Sequence, residues 1–223
     1  RHDRQWSPHL PNTRKPYFLA VGDLQSVPNR KNLIGAIQAY SAAFGEYDGF
    51  ELVIKVTISD AASQQALEEL KSAATIRSDI HFNHRRLSQG AMQSLLLGSE
   101  CFISLHRSEG LGLNIADAMA HGVPTVVTNY GGNVGFHPPD FPFAVDYRLT
   151  SVGHGNTPYP VTAQWADPDI DHAVHLLKRI ADDPKGAHRV GQRSREHLST
   201  HFSLQAVGKL WRPLLQRITN SET

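Results

Sequence analysis

Cysteine is almost absent from this 223-residue chain, and Cys101 is the single example. One cysteine cannot form an internal disulfide, so the sequence gives no sign of an oxidising compartment. No run of about 18 apolar residues occurs, and the first residues lack the apolar segment of a signal peptide. The formal net charge is only +1, so no overall field favours nucleic acid, a membrane or an acidic partner. We therefore expect a cytoplasmic protein whose basic sites are local.

Metal-ligand patterns are also missing, although the chain has 13 histidines. His172 and His175 are three residues apart on one predicted helix, and His197 and His201 are four apart on another. Neither pair is accompanied by the glutamate of a zinc-protease helix or by paired cysteines. We therefore expect surface histidines and no metal site.

The composition, with 40% hydrophobic and 19% charged residues, is that of an ordinary globular protein with a real core. Residues 1–16 are polar and without periodicity, which predicts a linker or arm, and residues 17–223 are expected to form one domain. Short apolar runs alternate with helical patterns from there onward. The five predicted strands start at Tyr17, Glu51, Asp79, Phe102 and Thr125. This alternation predicts an α/β fold, a doubly wound parallel sheet with helices on both faces and a helical C-terminus.

Helix signals add boundaries to this outline. One helix is predicted over Lys31–Phe44, and residues 148–166 are predicted as an ordered loop or insertion without an element. Three capping residues are predicted: Asp60 for a helix that ends near Ala74, Ser88 for the helix Met92–Leu97, and Asp167 for the helix Asp169–Ala181. A further helix is predicted over Lys185–His201. A last helix starts at Ser203 and is expected to bend at Pro213.

The segment from Ser104 to Thr128 is the most informative part of the chain. It has the pattern of a buried strand, a turn with two glycines, a helix and a second buried strand. Such a turn presents backbone N–H groups at a helix N-terminus and so forms an anion site. The N–H donors would come from Gly110, Leu111, Gly112 and Leu113.

Two acids, Glu109 and Asp117, bracket this turn and helix. On one helix, eight residues would separate them by roughly 12 Å, which exceeds the approximately 6.5–9.5 Å of an inverting glycosidase pair. Two separate contacts to an extended ligand suit this spacing better than a catalytic dyad does. The pattern favours a ligand with both phosphate and hydroxyl groups, such as a nucleotide sugar.

The turn after the first strand supplies a second candidate site. It places Arg30 and Lys31 at the start of the predicted helix, where positive charge normally opposes the helix dipole. Either these are ordinary surface cations, or they hold an anion drawn to that helix end. Because both turns follow parallel strands, they are expected to face one crevice at the carboxyl edge of the sheet.

These residues resemble the C-terminal half of the group 1 glycosyl transferases, the retaining, metal-independent enzymes of carbohydrate family four with the two-domain GT-B fold. The resemblance covers about residues 17 to 218. It rests on Glu109-x7-Asp117, on Ala118-Met-Ala-His-Gly-Val-Pro124, on Arg30-Lys-Asn32, on Ser104-Leu-His-Arg-Ser-Glu-Gly110, on Tyr130-Gly-Gly-Asn133 and on Trp165-Ala-Asp-Pro-Asp169. The details are similar to a bacterial branch that decorates surface polysaccharides.

The resemblance implies a role for each matching residue. Glu109 would contact the donor sugar and the phosphate end, and Asp117 would bind the ribose hydroxyls. Lys31, with Arg30, would hold the diphosphate and stabilise the departing nucleoside diphosphate. Further candidates for the same cavity are His106, Arg107, Ser26 and Asn133, and base contacts are expected from Asn83 to Leu87. No metal and no cofactor besides the nucleotide-sugar substrate is implied.

The sequence departs from the family in three places. Asp117 stands where glutamate is usual, which shortens the reach to the ribose by one methylene. Asp23 stands where an arginine commonly follows the glycine. The N-terminal acceptor-binding domain is not in this chain, so we expect an excised domain or half of a split enzyme, with membrane association only through a full-length enzyme.

Three alternatives to a donor-binding domain of a transferase differ in what they require. A non-catalytic nucleotide-sugar-binding module would keep the same residues. A nicotinamide-dependent oxidoreductase would need Gly-x-Gly-x-x-Gly after the first strand, and only Gly22 is there. Nucleic-acid binding would need a basic stripe that the chain lacks.

Overall fold

A six-stranded parallel sheet forms the centre of the protein in a computed structural model, which describes residues 15–25, 27–74 and 77–220. The strand order is β3-β2-β1-β4-β5-β6, and every neighbouring pair is parallel. The strands are β1 (Tyr17–Asp23), β2 (Glu51–Thr57), β3 (Ile80–Asn83), β4 (Cys101–Ser104), β5 (Thr125–Thr128) and β6 (Ala144–Val145). The predicted doubly wound α/β fold is confirmed, with a short sixth strand added at one edge.

Helices cover both faces of this sheet. They are α1 (Pro28–Lys31), α2 (Leu33–Ala43), α3 (Ala61–Ala73), α4 (Gln89–Leu97), α5 (Leu113–Ala120), α6 (Ile170–Asp182), α7 (Pro184–His201) and α8 (Leu204–Asn220). Buried side chains of α2, α3 and α6 pack on one face, and those of α4 and α5, with Leu198 of α7, pack on the other. Covered faces explain why β2 is apolar at consecutive positions, since Leu52 and Ile54 face one layer and Val53 faces the other.

Two of the predicted caps are confirmed and one is corrected. Asp60 forms a capping box with Ser63 at the start of α3, and the Ser88 side chain accepts from the Ala91 N–H at the start of α4. Asp169, not Asp167, caps α6, and its Oδ1 accepts from the His172 N–H at 2.9 Å. The prediction missed this because Asp167 belongs to a strand and its carboxylate binds two arginines.

The region predicted as a loop without an element contains a two-stranded antiparallel sheet, so that prediction is wrong. Its strands are β7 (Tyr147–Ser151) and β8 (Gln164–Pro168). The sequence lacks a strand signal here because most side chains of β7 are exposed. The hairpin is anchored by tertiary contacts: Trp165 is buried, and the Ala166 N–H donates to the Arg107 carbonyl at 2.8 Å.

The last helix, α8, contains Pro213 as predicted and exposes apolar residues that include Leu204, Leu210 and Trp211. Among the described helices, none combines the length and apolar character needed to span a bilayer. The described residues also contain no group of three or more side chains placed to bind a metal ion.

Candidate functional site

The two predicted cations lie at the end of a helix, not at its start. Arg30 and Lys31 occupy the last turn of α1, where the dipole favours positive charge, and a separate helix begins at Leu33. The break is at Asn32, whose backbone is left-handed with φ 50°, a conformation that asparagine tolerates better than most residues. The prediction of one helix over Lys31–Phe44 is therefore corrected.

Asn32 also fixes this break to the sheet. Its side-chain oxygen accepts from the Gly35 N–H at 3.2 Å and so caps α2. Its side-chain nitrogen donates to the carbonyl of Leu105, just after β4, at 2.9 Å. The cations of α1 are thereby held against the segment that follows β4.

The predicted acid and both predicted cations meet at this point. The Lys31 ammonium contacts Oε1 of Glu109, and Arg30 lies 3.4 Å from Oε2. Arg30 also donates to the Ser108 carbonyl at 3.1 Å, and its own carbonyl accepts from the Arg107 N–H at 2.8 Å. The three charged side chains are only 10–18% exposed. Two cations and one carboxylate leave the cluster with a net charge of +1.

The glycine turn next to this cluster leads into α5, whose N-terminus lacks a side-chain cap among the described residues. Gly112 is the N-cap of α5 with φ 76°, none of the described side chains caps the helix, and its first turn contains no acid. Gly110, Leu111 and Leu113 are exposed around it. The first N–H groups of a helix have no intrahelical acceptor, so this turn presents donors and the positive end of a dipole to solvent.

Gly131 and Gly132 support the backbone of Glu109. The sequence marks them only as part of the segment Tyr130–Asn133, which resembles the family. The Gly132 N–H donates to the Glu109 carbonyl at 3.0 Å. A Cβ at Gly131 would lie 2.6 Å from that same carbonyl oxygen, and one at Gly132 would overlap the carbonyl oxygen of Gly110. Only glycines allow the two loops to approach this closely.

His106 lies beneath the cluster and is completely buried. Neither of its ring nitrogens has a hydrogen-bond partner among the described residues, nor does the side-chain oxygen of buried Asn133. Burial lowers the pKa of His106 to about 4, although the nearby Glu109 carboxylate acts in the opposite direction. The imidazole is therefore neutral at pH 7, and the charge of the cluster stays at +1.

Arg107 does not join the other two cations. Its guanidinium pairs with Asp167 of β8 at 2.9 Å and lies over the Trp165 ring, 5.6 Å from the centroid. It lines a cavity of about 500 Å³ between α1, α2 and the hairpin. Ser26, the remaining candidate, lies outside the described residues.

Asp117 is exposed on α5 and not in contact with the cluster. It lines a small cavity of about 200 Å³ against α4. Asn114 and Met92 line this cavity and also a larger one of about 610 Å³ over the carboxyl ends of β1, β2 and β3. The larger cavity includes Asp23 and the segment His84–Leu87. One line of cavities thus runs from the first turn of α5 to the loop after β3.

An open parallel sheet with an anion-binding turn at its carboxyl edge is the architecture of Rossmann-like nucleotide-binding domains. The sequence profile described as "Glycosyl transferases group 1" matches residues 3–136, more than half of the chain. The chain belongs to the group 1 glycosyl transferases. No curated protein sequence matches it significantly.

Solved structures of glycosyltransferases share the fold. Sucrose-phosphate synthase from Thermosynechococcus elongatus has a TM-score of 0.66 at 20% identity, over 93% of this chain and 47% of that one. HepE from Anabaena, in complex with UDP and glucose, has a TM-score of 0.68 at 12% identity, over 91% and 49%. The C-terminal domain of LpcC from Francisella tularensis has a TM-score of 0.61 at 16% identity, over 86% and 89%. The chain therefore spans about half the length of the two longer proteins.

Proposed function

We propose that this chain is the donor-binding domain of a retaining glycosyltransferase that transfers a sugar from a nucleoside diphosphate sugar to an acceptor hydroxyl, in the synthesis of bacterial surface polysaccharide. The contact of Lys31 and Arg30 with Glu109, beside the uncapped N-terminus of α5, carries this proposal. The fold it shares with HepE, whose structure contains UDP and glucose, supports a nucleotide-sugar ligand.

The electrostatics of the cluster suit a diphosphate. A net charge of +1 and the free N–H groups of the first turn of α5 attract the same anion from two directions. Because the charged side chains are mostly buried, their attraction is screened less than that of surface charges. The proposed ligand lies with its phosphates on α5 and its nucleoside in the cavity over β1, β2 and β3.

In the proposed reaction, the acceptor hydroxyl attacks the anomeric carbon from the face that the nucleotide leaves. The bond between that carbon and the diphosphate oxygen breaks, and the nucleoside diphosphate departs with the electron pair and takes up the proton that the acceptor hydroxyl loses. Lys31 and Arg30 stabilise the charge that develops on this leaving group. Glu109 contacts the donor sugar, and no side-chain nucleophile, metal or resident cofactor takes part in the proposal.

The acceptor is proposed to bind to a second domain, which in the whole enzyme would close over this one at the inner face of the cytoplasmic membrane. We expect this chain alone to bind the donor and to transfer sugar poorly. An assay of sugar transfer in a protein that carries both halves separates an enzyme from a module that only binds nucleotide sugars.

Titration calorimetry with UDP, GDP and their glucose and mannose conjugates tests the donor site directly. Lys31→Met should weaken nucleoside diphosphate binding about 10- to 100-fold, the effect of losing one charge-assisted contact. Lys178→Met removes an exposed lysine of α6 and should leave binding unchanged. Glu109→Gln should abolish any preference for the sugar conjugate over the free diphosphate. If no nucleotide binds, or if the two lysine variants behave alike, the proposed site is wrong.

A further inference from the structure

Lys55 is a buried cation for which the described residues provide no counter-ion. Two ionic side chains are buried among the described residues, and the other, Asp79, is paired with Arg77. Lys55 is only 7% exposed in the apolar strand β2. Its ammonium donates to the neighbouring Val56 carbonyl at 2.7 Å, and no described carboxylate forms an ion pair with it. Burial lowers its pKa.

Such an arrangement is costly for folding alone, since a buried charge is normally paired or satisfied by several acceptors. An ammonium has three N–H donors, and only one acceptor is provided here. An apolar residue at this position would pack in the sheet without that cost. The remaining donors face the cavity that Lys55 lines, so a ligand with an acceptor atom can take the place of water there.

Lys55 lies at the floor of the cavity of about 610 Å³ over β1, β2 and β3. The walls of this cavity include a group of apolar side chains, and the rim carries exposed polar ones. The apolar group is Val21, Ile58, Leu87 and Met92. The apolar side chains beside this buried donor suit a flat heterocycle with a carbonyl oxygen, and the other cationic donors of the cavity, Arg85 and Arg86, are exposed.

The order of strands places Lys55 away from the cluster of Arg30, Lys31 and Glu109. Arg30 and Lys31 follow β1, and Glu109 follows β4, whereas Lys55 belongs to β2 on the other side of β1. Two strand spacings, about 10 Å, separate β4 from β2. A ribose spans such a gap between a diphosphate and a base, and Asn114 in the first turn of α5 lines the same cavity.

We propose that Lys55 donates a hydrogen bond to the nucleobase carbonyl at C4 of uracil or C6 of guanine and so selects donors that carry uracil or guanine over those that carry cytosine or adenine. This inference rests on the proposed function. Uracil O4 and guanine O6 are acceptors, whereas cytosine and adenine present amino groups at the corresponding positions. An ammonium has no acceptor for an amino group.

Titration of the chain with UDP, CDP and pyrophosphate tests the proposal, because the two nucleotides differ in the group at C4 of the base. GDP and ADP repeat the comparison with purines. In the unsubstituted protein, we expect UDP or GDP to bind at least 10-fold more tightly than its amino counterpart. Lys55→Met, which keeps the stem length, should remove this preference by weakening the carbonyl nucleotide about 10- to 100-fold. Pyrophosphate binding should not change.

Two variants make the result specific. Lys55→Gln carries both a donor and an acceptor, so it should also lose the preference, and it guards against a folding defect of Lys55→Met. Lys178→Met removes an exposed lysine of α6 that does not line the cavity and should keep the preference. Equal weakening of UDP and CDP, weaker pyrophosphate binding, or an unchanged preference in Lys55→Met would overturn the proposal while leaving the proposed function in place. Absence of any nucleotide binding would overturn both.

Discussion

Acid should destabilise this protein through His106, and the structure gives the size of the effect. The imidazole is fully buried without a hydrogen-bond partner among the described residues, and burial lowers its pKa to about 4. In the unfolded chain, a histidine has a pKa of about 6.5. Between these two values the unfolded state binds a proton that the folded state does not, so the free energy of unfolding falls as the pH falls.

The lowered pKa fixes the sign and the pH window. The contribution of neutral His106 is fully present above about pH 6.5 and is lost progressively as the pH falls towards 4. From pH 7 to pH 5, the linkage relation gives a loss of about 2 kcal/mol from this residue. Burial also lowers the pKa of the partly buried His137, and this shift acts in the same direction.

Urea unfolding followed by circular dichroism, at half-unit steps from pH 7.5 to 4.5, measures this loss. His106→Leu removes the titrating group, so its stability should fall by about 2 kcal/mol less than that of the unsubstituted protein between pH 7 and 5. Gln38→Leu places a leucine at an exposed position without removing a titrating group, so it serves as the control and should follow the unsubstituted protein. Identical acid dependence of the unsubstituted protein and His106→Leu would show that His106 is not held neutral by burial.

Three further substitutions test the packing and polar contacts of the fold, each by urea unfolding. Gly132→Ala should cost about 1–3 kcal/mol, because its Cβ would overlap the carbonyl oxygen of Gly110. Gly135→Ala has open space around its Cβ and should cost little. Equal costs would contradict the close packing of the two loops. Asn32→Ala should cost about 2 kcal/mol through the lost cap and the left-handed backbone, and an unchanged stability would contradict both contributions. Asp79→Asn should cost about 3 kcal/mol, because it leaves the mostly buried guanidinium of Arg77 partly unpaired. Glu68→Gln removes a carboxylate from an exposed pair and should cost less than about 1 kcal/mol. Similar losses of stability in the two variants would contradict the expected difference between buried and exposed ion pairs.

The fold was predictable because its signals are local and repeated. Apolar runs such as β2 and caps such as Asp60 depend on neighbouring residues alone, and both are present as predicted. The juxtaposition of Lys31 with Glu109 also followed from the sequence, through the rule that turns after parallel strands meet at one edge. Lys31 and Glu109 are 78 positions apart in the sequence, and the topology of the sheet brings them into contact.

The parts that could not be predicted depend on tertiary contacts. The left-handed backbone of Asn32 is supported by its hydrogen bond to a carbonyl after β4, 73 residues away, so nothing in the local pattern marks the break between α1 and α2. Asp167 has the spacing of a helix cap, but its carboxylate is engaged by Arg107 and Arg148. Lys55 stands out only after the structure shows that its strand is buried on both faces.

The last test concerns Asp117, the second predicted acid. Its carboxylate either binds the ribose hydroxyls or is only a surface charge. It lies one helical turn from Asn114, which lines both the small cavity and the larger one, so a ribose between the two cavities would be within reach of α5. If Asp117 accepts hydrogen bonds from the ribose hydroxyls, Asp117→Asn should weaken UDP about 10-fold or more and leave 2′,3′-dideoxy-UDP and pyrophosphate unaffected. Asp117→Glu, which adds the methylene that the family usually has, should bind UDP at least as tightly as the unsubstituted protein. Calorimetry that finds UDP and its dideoxy analogue equally sensitive to Asp117→Asn would mean that this carboxylate acts only as surface charge, and that the ribose is held elsewhere in the cavity.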